Sequence, residues 1–194
     1  MRVFLGITGA SGAPYAARLL RALAEGGNEV GVAISAAGYE VLATELHGDP
    51  SLPADDVRDR LVSGLDGVTV YGISDYSSPY ASGSAKVDAY VVCPCSMATI
   101  GTIAAGAMAN LVHRAASVAL KEERKLVLMP RETPLSEIHL DGMLRLRRAG
   151  ATILPLAPGF YHGAKTIDDL VDFVVARCLD QLGLENDLIR RWGE

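Results

Sequence analysis

Six short apolar runs, each handing over to a loop, constrain this chain more than any single residue does. They are "RVFLGI", "NEVGVAI", "GVTVYG", "VDAYVVCP", "RKLVLMP" and "ATILPL". Short, near-continuous apolar runs mark parallel strands covered on both faces. Between and after them the spacing predicts helices over 14–25, 36–46, 97–107, 110–122, 136–149 and 166–182, the last stopping at Gly183. A polar, irregular linker precedes the third run. Strands alternating with helices imply an α/β fold: an open, mostly parallel six-stranded sheet with helices on both faces. With no repeats and no composition break, residues 1–194 read as a single domain large enough for a substantial core.

The net charge of −5 argues against general nucleic-acid binding. No apolar stretch reaches the roughly 18 residues of a membrane span. The amino terminus shows neither a basic leader nor a cleavage site, so the expectation is a soluble, cytoplasmic protein. Three cysteines, at 93, 95 and 178, are odd in number, and Cys-Pro-Cys is not a zinc spacing. Neither a disulfide framework nor a metal site is therefore expected. Without a partner histidine in a recognisable arrangement, Cys93 at least reads as a buried structural thiol rather than a nucleophile.

The first run leads into "GITGASGAPY", with Gly6, Gly9 and Gly12 ahead of Pro14. Proline suits a first helical turn, where its missing N–H is no loss. Such a loop turns backbone N–H groups and a helix N-terminus towards an anion, and Ser11 adds a hydroxyl. The spacing is G-x-x-G-x-x-G, neither the dinucleotide fingerprint nor a Walker loop with its lysine. After the second run stands Ser35, where a nicotinamide enzyme would carry an acid for the ribose. A mononucleotide or flavin fits better, although a tight turn packed against its helix would explain the first loop alone. The fourth run ends in "CPCSMATI", placing Ser96 and Thr99 at a helix start outside the carboxyl end of a strand. Capping by Ser96 and ligand binding are compatible there.

Arg114 and Lys121 lie seven apart and share a helix face. Arg131 follows the fifth run directly, and Arg177 sits among apolar neighbours, where a charge is rarely buried without a partner. Four cations beside two hydroxyl-bearing loops are compatible with a second phosphate site. Glu132 and Glu45 are the carboxylates nearest these loops, and either could move a proton if burial tuned it.

The segments "TGASGAPY", "ISAAG…ATE", "ASGS", "CPCSMATI", "NLVHRAASVALKE", "LVLMPRETPLSEIHLDGM", "LPLAPGFYH" and "DLVDFVVARCLDQLG" together resemble the flavin prenyltransferases of the UbiX type. These lie within the superfamily of flavin-containing cysteine decarboxylases, which share a Rossmann-like fold. The resemblance covers essentially the whole chain and implies a metal-independent reaction. Reduced FMN, a substrate as much as a cofactor, is alkylated by dimethylallyl phosphate at N5 and then C6. Phosphate leaves, and prenylated FMN passes to a UbiD-type decarboxylase, in ubiquinone biosynthesis or in aromatic-acid breakdown. A metal-free enzyme must stabilise the departing phosphate with side chains, which gives the cations a purpose. The alternatives are an FMN-dependent decarboxylase and a non-catalytic FMN carrier.

By the same resemblance, Gly9, Ala10, Ser11, Ser35, Ser96, Met97, Ala98, Thr99 and Arg131 are similar to the FMN-binding residues. Lys121, Arg131, Tyr161 and Arg177 resemble the dimethylallyl-phosphate grip, with Arg114 in support and Trp192 in a covering tail. Glu132 looks like the proton-transfer group near N5 and Glu45 like a second catalytic carboxylate, with Ser11 and Lys121 also counted as catalytic. Ser82, Gly83 and Ser84 are expected from a neighbouring subunit, in a homo-oligomer of dodecamer type. Where many members carry Trp, this chain has Tyr76, whose ring can still face a developing allylic cation. Monophosphate against diphosphate stays open on that account.

Overall fold

The computed structural model describes residues 1–191 and 193. The strands are β1 (Arg2–Ile7), β2 (Glu29–Ile34), β3 (Val68–Tyr71), β4 (Ala89–Cys95), β5 (Lys125–Pro130) and β6 (Thr152–Ile153). The helices are α1 (Ala13–Glu25), α2 (Ala36–His47), α3 (Ala54–Val62), α4 (Met97–Ala104), α5 (Leu111–Lys121), α6 (Glu137–Arg148) and α7 (Ile167–Leu182). The strands form one sheet in the order β3-β2-β1-β4-β5-β6, and every pairing is parallel. The expected α/β architecture is thus present.

Period-two alternation divides the core into two layers. Val3, Leu5 and Ile7 face Ala16, Leu19, Leu20 and Leu23 of α1 and Val171, Val174 and Cys178 of α7. Phe4, Tyr90 and Val92 face the opposite way, towards Val112, Ala115 and Ala119 of α5 and Ile100 of α4. Burying each such aliphatic side chain stabilises by about 1.5–3 kcal/mol. The chain reverses its winding between β1 and β4, so a crevice opens at their carboxyl ends.

Three local expectations change. The linker before β3 contains α3, whose only buried residues, Val57 and Leu61, stand one turn apart. The sixth strand shrinks to two residues, although Leu154 and Leu156 still donate backbone bonds to Leu128 and Pro130. Helix α4 stops at Ala104, because Gly106 takes a positive φ of 75° two residues on. All three cysteines are buried and free, and burial pushes their thiols upward, Cys178 to about 12.

Candidate active site at the sheet reversal

Three helices start at the carboxyl edge where the winding reverses; two are capped by a serine and the third is not. Ser96 caps α4, its Oγ accepting from the Thr99 N–H at 3.2 Å and lying 3.0 Å from the Thr99 hydroxyl. Ser35 caps α2 by accepting from the Gly38 N–H at 3.0 Å. Helix α1 has no side-chain cap of its own, since Gly12 occupies that position. Its donors are taken by Glu45, reaching across from α2. One oxygen, Oε2, accepts from the Gly12 N–H at 2.9 Å and from the Ala13 N–H at 2.8 Å.

A helix N-terminus favours an anion, and at α1 the protein supplies that anion itself. Burial alone would raise the Glu45 carboxyl. The Ser11 hydroxyl, the Gly12 and Ala13 N–H groups and the Arg131 charge together hold it below the ordinary carboxylate range. The first glycine loop is therefore closed as a phosphate cradle at its helix end. Gly9 has a packing reason as well: a Cβ there would meet the Ala37 Cβ at 2.4 Å. The loop can offer Gly9, buried Ala10 and exposed Ser11 to the body of a ligand, while α2 and α4 remain for its phosphate.

Thr8, which sequence reasoning missed, ties the two central strands together. Its hydroxyl donates to the Pro94 carbonyl at 2.8 Å and accepts from the Ser96 N–H at the same distance. This places Ser96, half-buried Met97, exposed Ala98 and buried Thr99 beside the first loop. No local pattern announces such a bond, which spans 86 positions of sequence.

Arg131 leaves the end of β5 and donates from Nε to the Ser11 carbonyl at 3.3 Å. Arg131, Ser11 and Glu45 thus meet at one junction. Glu132 is exposed next to it, its Oε1 accepting from the Thr133 N–H at 3.1 Å. Tyr161 is exposed on the loop between β6 and α7, its ring edge-on to Phe173 with centroids 5.5 Å apart. Arg177 lies on the same helix as Phe173 but pairs with Asp180. Trp192 lies outside the described residues.

The remaining predicted residues gather elsewhere. Helix α5 runs back against the strands, so Lys121 at its end belongs to the amino edge of the sheet, where it pairs with Glu122. Arg114 on the same helix donates from Nε to the Ala81 carbonyl at 2.9 Å, and Arg124 donates to the Gly83 carbonyl at 2.7 Å. The hydroxyls of Ser82 and Ser84 sit 2.9 Å apart on the surface. Tyr76 is exposed on the segment leading there. The expectation that Lys121 stands beside Tyr161 and Arg177 at one rim does not hold within one chain, because the direction of α5 carries it to the opposite edge. Among the described residues no three His, Cys, Asp or Glu side chains are grouped as a metal would require. No described helix is long and apolar enough to cross a membrane.

Comparison with known proteins supplies the context for this geometry. The family model "Flavoprotein" matches residues 1–179. Flavin prenyltransferase UbiX of Pseudomonas aeruginosa is 49% identical over 100% of this chain and 94% of its own. A crystal structure of AnUbiX (PadA1) in complex with FMN and dimethylallyl pyrophosphate superposes with a TM-score of 0.90. It shares 39% identity and covers 100% of this chain and 97% of that one. A dodecameric FMN-dependent UbiX-like decarboxylase from Escherichia coli O157:H7 gives a TM-score of 0.87 at 44% identity, with full coverage of both chains.

Proposed function

The chain belongs to the flavoprotein family, and from that premise we propose that it is a UbiX-type flavin prenyltransferase. It joins a dimethylallyl group from dimethylallyl phosphate to N5 and C6 of reduced FMN and releases phosphate. What carries this reading is the full-length likeness to the prenyltransferases. The donor chemistry of the carboxyl edge suits FMN. Serine-capped starts of α2 and α4 fit its phosphate, and the Gly9–Ser11 loop and Arg131 flank the space beside them. Reduced FMN supplies the nucleophilic nitrogen and carbon.

The chain's own residues do the rest. Ser96 and Thr99 hold the phosphate end, and Arg131, fixed by Ser11, orients the flavin body. Glu132, whose Oε1 accepts from the neighbouring Thr133 N–H, moves the proton at N5. Tyr161 and Arg177 grip the prenyl phosphate from one chain, and Lys121 with the 82–84 segment does so from a neighbour. These cations stabilise charge as the allylic carbon–oxygen bond breaks and its electron pair leaves with phosphate. The assembly is a homo-oligomer of dodecamer type, and a cytoplasmic UbiD-type decarboxylase receives the product.

Anaerobic incubation with reduced FMN and dimethylallyl phosphate should give a flavin heavier by one prenyl unit in mass spectrometry. Glu132→Gln should retain FMN and lose that mass gain, by about 100-fold or more in rate. The decarboxylase named for the Escherichia coli structure is the second reading. Carbon dioxide released from an aromatic acid, with no mass gain on the flavin, would establish it instead.

A further inference from the structure

Helix α7 runs from the carboxyl edge of the sheet to the amino edge, where the Leu182 carbonyl accepts from Lys125 at the start of β5. Arg177 must therefore reach back along its helix, past Phe173, to meet an anion held at the carboxyl edge. In this structure it reaches the other way. Its Nη1 donates to Asp180 Oδ2 at 2.7 Å, on a residue about 4.5 Å nearer the amino edge. A groove of about 280 Å³ lies between β6 and α7, lined by Leu154, Pro155, Ala157, Phe173 and Arg177 itself, so Arg177 borders this space while it is paired with Asp180.

Asp180 does not depend on Arg177. Arg191 donates to it twice, to Oδ2 at 2.8 Å and to Oδ1 at 2.9 Å, and Asn186 adds a bond at 3.2 Å. The carboxylate is 18% exposed, whereas Arg177 is 49% exposed. Removing Arg177 thus leaves no stranded, half-buried charge, the outcome that makes breaking most such pairs costly. The arginine can be exchanged while the carboxylate stays satisfied by the tail.

We propose that Asp180 is a positioning residue that parks Arg177 and competes with the prenyl phosphate for its guanidinium. Ligand binding swaps one anion for another on Arg177 while Arg191 and Asn186 keep Asp180 in place. The proposal rests on reading Arg177 as a ligand of dimethylallyl phosphate. It requires that weakening the parking contact tightens substrate binding without altering the chemical step.

The test is steady-state prenylation of reduced FMN by the full-length oligomer across a titration of dimethylallyl phosphate. Asp180→Asn should lower KM about two- to fivefold, the worth of an exposed ion pair acting as competitor, with kcat unchanged. Asp180→Glu, which keeps the charge, should return KM to the wild-type value. In an Arg177→Gln background the Asp180→Asn change should do nothing. A KM that is unchanged or raised in Asp180→Asn, or a fall that persists without Arg177, overturns the proposal. A wild-type KM in Arg177→Gln alone overturns it too. Should the wild-type protein show no turnover, the prenyltransferase reading fails separately. Calorimetric titration with inorganic phosphate then decides the Asp180 claim: the same ranking of variants supports it, any other ranking refutes it.

Discussion

Glu45 shows how one residue can be found for one reason and explained by another. As a sequence position it is a carboxylate near a loop, and nothing local says what it touches. Its partners, Gly12 and Ala13, lie 33 and 32 positions away. The structure gives it a structural task, the cap that a glycine cannot provide for α1, whatever chemistry it also performs. Because its carboxyl is held below the ordinary value of 4.5, the stability it contributes is present above that value. It is lost as pH falls through the depressed folded value. Glu45→Gln should therefore lower stability at neutral pH by about 1 kcal/mol, a figure discounted for the exposure of the side chain. The gap from wild type should narrow below pH 4.5 in urea melts followed across pH. Thr8 is the mirror case: it is invisible as a site residue in sequence and yet joins both loops of the reversal.

At the scale of elements, legibility follows the strength of the repeating signal. β1 to β5 lie where apolar runs place them, and α1, α2, α5 and α7 lie close to the predicted spans because each buries several residues of one face, while α6 buries Leu146 and half-buries His139, Gly142 and Met143 at helical spacing from it. α3 escaped because two buried residues in nine make no periodic face. The segment around Pro79–Ala81 escaped for a different reason. It covers the sheet not with an α-helix but with a single 3₁₀ turn carrying Tyr80, whose fully buried ring lies 5.2 Å from Phe4 and 5.6 Å from Tyr71. That ring occupies the space above Gly31 in the middle of β2, where a Cβ would come within 2.0 Å of it. A backbone this close to a ring admits no methyl without moving the plug. Gly31→Ala should cost about 1–3 kcal/mol by overpacking, or about 3–10 °C in melting temperature. Near-ultraviolet circular dichroism should report the displaced tyrosine cluster. An unchanged melting temperature would mean that the 72–86 segment yields without cost.

For the molecule as a whole, the site residues divide by edge. Ser11, Glu45, Arg131 and the serine-capped helix starts share the carboxyl edge, whereas Lys121 and Ser82 to Ser84 share the amino edge. Strands of six or seven residues hold those edges about 20 Å apart, further than any side chain can bridge. The sequence carried both sets of residues, because their types and motifs are local. It carried no information on their separation, because the direction of α5 decides that. If both sets serve one reaction, each site must draw Lys121 from one subunit and Glu132 from another, as a closed homo-oligomer permits. Lys121→Ala and Glu132→Gln should each be inactive alone, yet when coexpressed in equal amounts they should yield about a quarter of the wild-type rate per site. That fraction arises because random assembly gives one site in four both intact residues. Were both groups taken from the same chain, every chain in the mixture would carry one defect and the rate would stay at the level of the single variants. Anaerobic turnover of the coexpressed pair therefore reads the architecture of the site directly, with no need of a bound ligand in the structure.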